Sequence, residues 1–131
     1  MKIQNENLTN FLRENFLFLK KSSQRLQFSV EKCKKIKIDK NLNNEDLEIL
    51  EAMTARFART VDILTQKICK TLARLLHENT STFIDLVNFL EKAKIIDNAE
   101  DLIALRILRN EIAHEYIFIA EEIFQKTLEA N

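Results

Sequence analysis

The sequence predicts an all-α protein, an up-and-down antiparallel four-helix bundle that forms a single domain over residues 1–131. Two observations support this fold class. The chain contains no glycine and no proline, and the tight turns of antiparallel sheets depend on these residues. Apolar residues, which make up 46% of the chain, recur every three or four positions, as expected for helices that bury one face.

Polar residues that favour helix ends divide the chain into four predicted helices. They occur at residues 39–44, at 78–82 and at Asp97, where side-chain oxygens can accept hydrogen bonds from the free N–H groups of the next helix. Asn43 or Asn44 is expected to cap the second helix. The predicted helices cover residues 6–37, 45–77, 82–94 and 98–129.

The first three predicted helices each carry one apolar stripe. The stripe of the first helix is formed by Leu8, Phe11, Leu12, Asn15, Phe16 and Leu19. In the second helix it runs from Leu47 to Leu75, and this helix is long enough to span a bundle. The third helix is short and is predicted to pack across the others.

The last predicted helix differs because it is apolar on two sides. The expected core face carries Leu105, Leu108, Ile112, Ile119 and Ile123. The other side carries Ile103, Ile107, Ile117 and Phe118. A helix that is apolar on two sides is buried on two sides, so we expect a homodimer in which a second copy covers the second face. Alternatively, the third helix covers this face within one chain.

The composition excludes several classes of protein. Without glycine the chain cannot form phosphate-binding loops of the Walker or Rossmann type. Cys33 and Cys69 lack the paired spacing of a metal or redox motif, so we predict reduced thiols in the core and expect neither a cofactor nor a metal ion. The sequence shows no secretory signal and no run of roughly 20 apolar residues. A cytoplasmic protein without membrane association is therefore expected.

Charge is distributed unevenly along a chain whose formal net charge is zero. Residues 20–40 contain eight basic and two acidic side chains, a balance of +6, whereas residues 97–131 contain three basic and eight acidic ones, a balance of −5. These segments can be solvated faces of two helices that attract each other within the bundle. Alternatively, the basic segment is a binding surface for an acidic partner or for an RNA backbone.

The last helix also carries a polar motif, RNEIAHEY, at residues 109–116. At 100° per residue, Arg109, Asn110, His114 and Tyr116 fall within one sector of about 160°. Their polar groups therefore share one side of the helix. Without further information, such a set is also typical of a hydrogen-bonded network that fixes the register of a dimer.

This motif resembles the Arg-x4-His-x-Tyr pattern of HEPN ribonucleases, and in particular of HepT-like toxins. Residues 56–64 and 85–116 are also similar to the corresponding helices of these proteins, so the resemblance covers roughly residues 45–120. The resemblance implies a HEPN-type bundle. It also implies a homodimer in which two copies of the last helix face each other and form one composite cleft.

The resemblance further implies a metal-independent endoribonuclease in which Arg109 and His114 are catalytic. Imidazole titrates near neutrality and can move the proton of a hydroxyl group or of water. A guanidinium can hold the negative charge that gathers on the attacked phosphate. Asn110, Arg106 and Arg59 are expected to bind the RNA substrate, whereas His77 is given no catalytic role. Alternatively, Arg59 forms salt bridges at the surface or at an interface, as Arg56 and Asp62 are expected to do.

Tyr116 has a separate expected role as a site of modification. HepT-like toxins belong to type VII-like toxin–antitoxin pairs. In these pairs a cognate nucleotidyltransferase antitoxin transfers AMP to the tyrosine of this motif, and the adduct blocks the cleft. Tyr116 is the only tyrosine in the chain. Two alternatives stay open: a non-catalytic substrate-binding or docking subunit of a nucleotidyltransferase, and a purely structural helical dimer.

Overall fold

The computed structural model describes residues 2–37 and 41–130, with side chains described as far as His114. All secondary structure in these residues is helical, which confirms the predicted all-α class. The helices are α1 (Lys2–Cys33), α2 (Asn44–Asp62), α3 (Lys70–Leu75), α4 (Phe83–Lys92) and α5 (Ala99–Ala130). A π-helical segment, Ile63–Cys69, joins α2 directly to α3.

The second predicted helix therefore exists, but a π segment that the sequence analysis missed interrupts its α-helical period. Threonine hydroxyls donate to carbonyl oxygens four residues earlier, from Thr65 to Val61 at 2.8 Å and from Thr71 to Lys67 at 2.6 Å. Such bonds compete with the backbone ladder and often bend helices. Single π turns inside α-helices occur frequently at functional sites.

The caps predicted for the second and third helices are confirmed. The side chain of Asn43 accepts a hydrogen bond from the N–H of Asp46 at 2.8 Å, completing a capping box at the start of α2. Thr82 accepts one from the N–H of Asp85 at 3.1 Å at the start of α4. These bonds satisfy N–H groups that have no partner within their own helix.

The start of α5 is capped by residues other than the predicted Asp97. The N–H of Ala99 donates to the carboxylate of Glu91 at 2.7 Å, and the N–H of Glu100 donates to Asn98 at 3.0 Å. Since Glu91 belongs to α4, the short helix fixes the point at which α5 begins. A cap supplied by a different helix leaves no local signal in the sequence.

The chain turns after α3 and after α4 at residues with left-handed backbone, His77 (φ 58°) and Lys94 (φ 62°). Glycine is preferred at such helix ends, but this chain has none. Each non-glycine residue in this conformation costs about 1–2 kcal/mol. His77 thus forms part of the turn that follows α3.

The best-packed part of the core lies where α3, α4 and the start of α5 meet. Its buried residues are Cys69, Ala73, Leu86 and Leu90, and half-buried apolar residues pack against them, among them Leu72, Phe83, Phe89, Ile96 and Leu102. The predicted core location of Cys69 is confirmed, while Cys33 is only half-buried. Burial raises the pKa of the Cys69 thiol to about 11, so this cysteine stays protonated at neutral pH.

Helix α1 packs antiparallel to α2 through a polar seam. Ser22 and Thr60 place their hydroxyl oxygens 2.6 Å apart, and seven residues later the Ser29 hydroxyl accepts from Arg56 at 2.8 Å. Residue numbers therefore rise along α1 as they fall along α2. Asn15, seven residues before Ser22, is also buried. This spacing of seven keeps one line of small polar residues against the neighbouring helix.

The stripe predicted for the first helix is correct in part. Leu8, Leu12 and Leu19 are half-buried beside the buried Asn15. Phe11 and Phe16 were placed in the same stripe, but they are exposed. The buried line of this helix is formed by polar residues, Asn15, Ser22 and Ser29, instead of by the phenylalanine rings.

Candidate functional site

Four of the five predicted catalytic and substrate-binding residues line one groove between the long second helix and α5. We call it the arginine groove; it has a volume of about 730 Å³. Its lining residues are Arg59, Asp62, Ile63, Gln66, Lys67, Arg106, Arg109 and Asn110. The structure thus brings Arg59 next to a group of three residues, Arg106, Arg109 and Asn110, that follow it by about fifty positions in the sequence. The fifth residue, His114, does not line the groove.

The π segment supplies one wall of the arginine groove. Arg59 and Asp62 come from the last turn of α2, and Ile63, Gln66 and Lys67 come from the π segment that follows. Gln66 and Lys67 were missed by the sequence analysis. Their spacing of three and four from Ile63 places them on the side of the helix that carries Arg59, and this spacing is the signal that could have identified them.

Helix α5 supplies the other wall, and the core face predicted for this helix is correct in part, since Leu105 and Ile112 are half-buried. Ala99 is buried and Leu102 packs on the core, and steps of four and three residues lead from Leu102 to Arg106 and Arg109 on the same face. Leu108, predicted as a core residue, is instead 45% exposed. The face that begins as core at the start of α5 thus continues into the groove as two arginines.

Arg109 is held in a fixed orientation by Asp62. Its Nε and Nη2 atoms donate to the two carboxylate oxygens of Asp62, both at 3.0 Å. The side chains are 29% and 44% exposed, so the pair contributes about 1 kcal/mol or less to stability. Two of the five guanidinium N–H groups are used in this pair. The other three N–H groups can donate to a ligand, and the paired bonds to Asp62 fix the plane of the guanidinium.

Arg106 is held by an aromatic ring. Its guanidinium lies 4.6 Å from the centre of the Phe83 ring at the start of α4. A cation over an aromatic face is attracted by the ring and loses freedom of movement. Both arginines of α5 are therefore positioned by neighbouring elements, Arg109 by α2 and Arg106 by α4.

The arginine groove is positively charged although the whole chain is neutral. Four basic side chains line it, Arg59, Lys67, Arg106 and Arg109, against one carboxylate, Asp62, which is already paired. The exposed amide of Asn110 adds a neutral donor and acceptor. Such a set is suited to an anion with several oxygen atoms, and guanidinium groups fit a phosphate by paired hydrogen bonds.

His114 lies one turn after Asn110 on α5 and is exposed to solvent. Seven residues before it on the same face is Ile107, which is 53% exposed. The imidazole and an uncovered apolar side chain therefore share a surface next to the arginine groove. The helix continues through residue 116, but the side chain of Tyr116 lies outside the described residues.

The described side chains include no group of three or more histidine, cysteine or carboxylate residues that could hold a metal ion. Among the described helices, none is long and apolar enough to cross a membrane.

Comparison of the chain with family models, with curated proteins and with solved structures gives no match. The function of the chain is therefore inferred from the groove and from the motif that contributes two of its residues, Arg109 and Asn110. Both bear on the same chemistry, the binding of a phosphate group.

Proposed function

We propose that this chain is a HepT-like toxin of a type VII-like HEPN/nucleotidyltransferase toxin–antitoxin pair. In this proposal it is a homodimeric, metal-independent endoribonuclease. The observation that carries the proposal is the convergence of Arg59, Arg106, Arg109 and Asn110 in one basic groove. Arg109 and Asn110 belong to the motif that resembles a ribonuclease pattern, whereas Arg59 and Arg106 were predicted separately as contacts to the RNA. Arg59 comes from α2, and the other three come from α5.

Arg109 is the residue we assign to charge stabilisation. During cleavage of a phosphodiester, negative charge builds on the non-bridging oxygens, and a guanidinium already oriented by Asp62 can meet it without reorganising. Arg106 and Arg59 are assigned to the binding of the substrate phosphate, with Asn110 as an orienting donor. The Asp62 contact supports this assignment because it limits the freedom of Arg109 while leaving three of its donors open.

His114 is assigned to proton transfer, and in one chain it lies beside the groove rather than in it. A homodimer supplies a reason for this placement. If the α5 helices of two copies face each other, Ile107 becomes covered and the His114 side chains of both copies reach one shared cleft. The exposure of Ile107 and His114 on one face supports such a contact.

AMP transfer to Tyr116 by a cognate nucleotidyltransferase is the proposed means of inhibition. Tyr116 follows His114 by two positions on the same helix, so an anionic adduct there would compete with RNA for the basic cleft. Because the chain has no other tyrosine, AMP found on a tyrosine of this protein identifies the residue.

A second function, a non-catalytic binding subunit of a nucleotidyltransferase, is favoured by one specific observation. The groove residues of a single chain form a complete anion-binding set without His114. A docking subunit needs this set and the exposed face of α5, but it has no use for an imidazole that transfers protons.

Cleavage of RNA by adduct-free protein separates the two functions. We expect His114→Ala to lower the cleavage rate by about 10²–10⁴-fold, the usual contribution of a positioned proton-transfer group. His77→Asn is the matched control, since it removes the other histidine and asparagine tolerates the left-handed backbone there. Equal cleavage by wild type and His114→Ala would contradict the ribonuclease proposal and leave the binding subunit.

A further inference from the structure

A second basic groove adjoins the arginine groove on the other side of α2. We call it the α1 groove; it has a volume of about 320 Å³. Its lining residues are Phe18, Lys21, Ser22, Arg25, Arg56, Arg59 and Ile63. Arg59 and Ile63 line both grooves, so the two meet across α2. A ligand that leaves the arginine groove past Arg59 enters the α1 groove.

The two grooves together are strongly basic. Their linings include seven basic side chains, Lys21, Arg25, Arg56, Arg59, Lys67, Arg106 and Arg109. The one carboxylate in either lining is Asp62, which is paired with Arg109. Among the described side chains, none of the other six basic residues has a carboxylate within salt-bridge distance. Like charges brought together repel each other, and a bound polyanion would relieve that repulsion.

The length and the chemistry of this surface fit a nucleic-acid strand better than a single phosphate. From Arg56 to Lys67 the helix advances eleven positions, about 16 Å at 1.5 Å per residue. This length is greater than a single phosphate group can occupy. Phe18, at the far side of the α1 groove, exposes 53% of its surface. Basic grooves with exposed aromatic rings are typical of sites for single-stranded nucleic acid.

We propose that the α1 groove is a second phosphate-binding site, which holds a single-stranded RNA several nucleotides away from the phosphodiester in the arginine groove. Lys21 and Arg25 contact the backbone of the strand, and Phe18 offers a face on which a base can stack. This inference rests on the proposed function, because it takes the arginine groove as the place where the strand is cut. It adds that substrates must be long enough to reach α1.

The test is the affinity of the full chain for single-stranded RNA of 4 and 12 nucleotides, measured by fluorescence anisotropy over a range of salt concentrations. The variant is Lys21→Gln with Arg25→Gln. The matched control, Arg13→Gln with Lys20→Gln, removes the same charge from exposed residues of α1 that line neither groove. Arg56 is left intact because it links α1 to α2 through Ser29. Far-UV circular dichroism establishes that both variants are folded.

We expect Lys21→Gln with Arg25→Gln to weaken binding of the 12-mer and to leave binding of the 4-mer unchanged. The logarithm of the affinity falls with the logarithm of the salt concentration, and two lost phosphate contacts make this slope less steep by about 1.4. If the affinities of variant and wild type are equal at 1 M salt, the variant binds the 12-mer roughly 25-fold more weakly at 0.1 M salt. The control keeps the slope of the wild type. An equal slope for variant and control, or absence of 12-mer binding by the wild type, would overturn the inference.

An acidic protein surface is the other ligand that this charge could attract. Polyglutamate of matched charge tests it as a competitor, and displacement of the 12-mer by an equal concentration of polyglutamate would overturn the assignment to RNA. These binding results are independent of cleavage. A nuclease that lacks the second site still loses activity in His114→Ala, whereas a binding protein with the second site shows the slope change and no cleavage.

Discussion

The two interfaces of α2 use polar residues in different ways. Towards α1, Ser22 and Ser29 are buried and bonded to Thr60 and Arg56. Towards α5, Arg109 is bonded to Asp62 in a similar side-chain link, but this pair is partly open to solvent and borders a groove. The first set of bonds joins two helices within the fold, although Ser22 and Arg56 also line the α1 groove. The second leaves donors directed at a space that a ligand can fill.

This difference indicates where polar residues serve stability and where they serve binding. A buried polar group that loses its partner carries a desolvation penalty, so the α1 seam should be sensitive to mutation in its stability. A partly exposed ion pair contributes little to folding, so the pair at the arginine groove should be sensitive in its activity instead.

The largest expected effect is that of Arg109→Ala on RNA cleavage. Loss of a donor that stabilises developing negative charge should lower kcat/KM by about 10²–10³-fold. The free energy of unfolding in urea should change by about 1 kcal/mol or less, because Asp62 remains partly solvated. Arg13→Ala, an exposed position on α1, controls for loss of an arginine. A large loss of stability with unchanged cleavage would make the pair a structural link like those of the seam.

A smaller effect, on stability rather than on cleavage, is expected for Ser29→Ala. The hydroxyl accepts a bond from the Arg56 guanidinium, and its removal should lower the free energy of unfolding by about 1 kcal/mol. Ser23→Ala, an exposed serine of the same helix, gains the same helix propensity from alanine, so the difference between the two variants isolates the buried bond. Cleavage of an RNA too short to reach the α1 groove should be equal in both. Unchanged stability in Ser29→Ala would contradict the comparison.

Local signals in the sequence predicted the elements of the fold. The absence of glycine and proline indicated an all-helical chain, and the polar clusters at 39–44 and 78–82 marked two helix starts, where the caps are Asn43 and Thr82. A cap and the N–H group that it bonds lie within one turn of a helix, so both residues can be identified from a short stretch of sequence. The cap that Glu91 provides to α5 crosses from one helix to another, and no local pattern indicates it.

Four of the five predicted site residues line the arginine groove, but their arrangement was not predicted. The bond of Arg109 to Asp62 depends on how α5 is rotated against α2. The apolar pattern favoured Leu108 as a core residue, whereas the core face continues through Arg106 and Arg109. Packing against α4 and α2 determines that rotation, and it overrides the periodicity of one helix.

A mixture of two impaired variants shows whether two copies of the chain share one catalytic cleft. Arg109→Ala and His114→Ala are purified separately, mixed in equal amounts under conditions of subunit exchange, and assayed for RNA cleavage. About half of the dimers then contain one chain of each kind, as native mass spectrometry can verify. We expect activity to reappear on mixing, since the mixed dimer holds one arginine and one histidine from different chains. Mixed dimers that form and remain inactive would contradict a shared cleft.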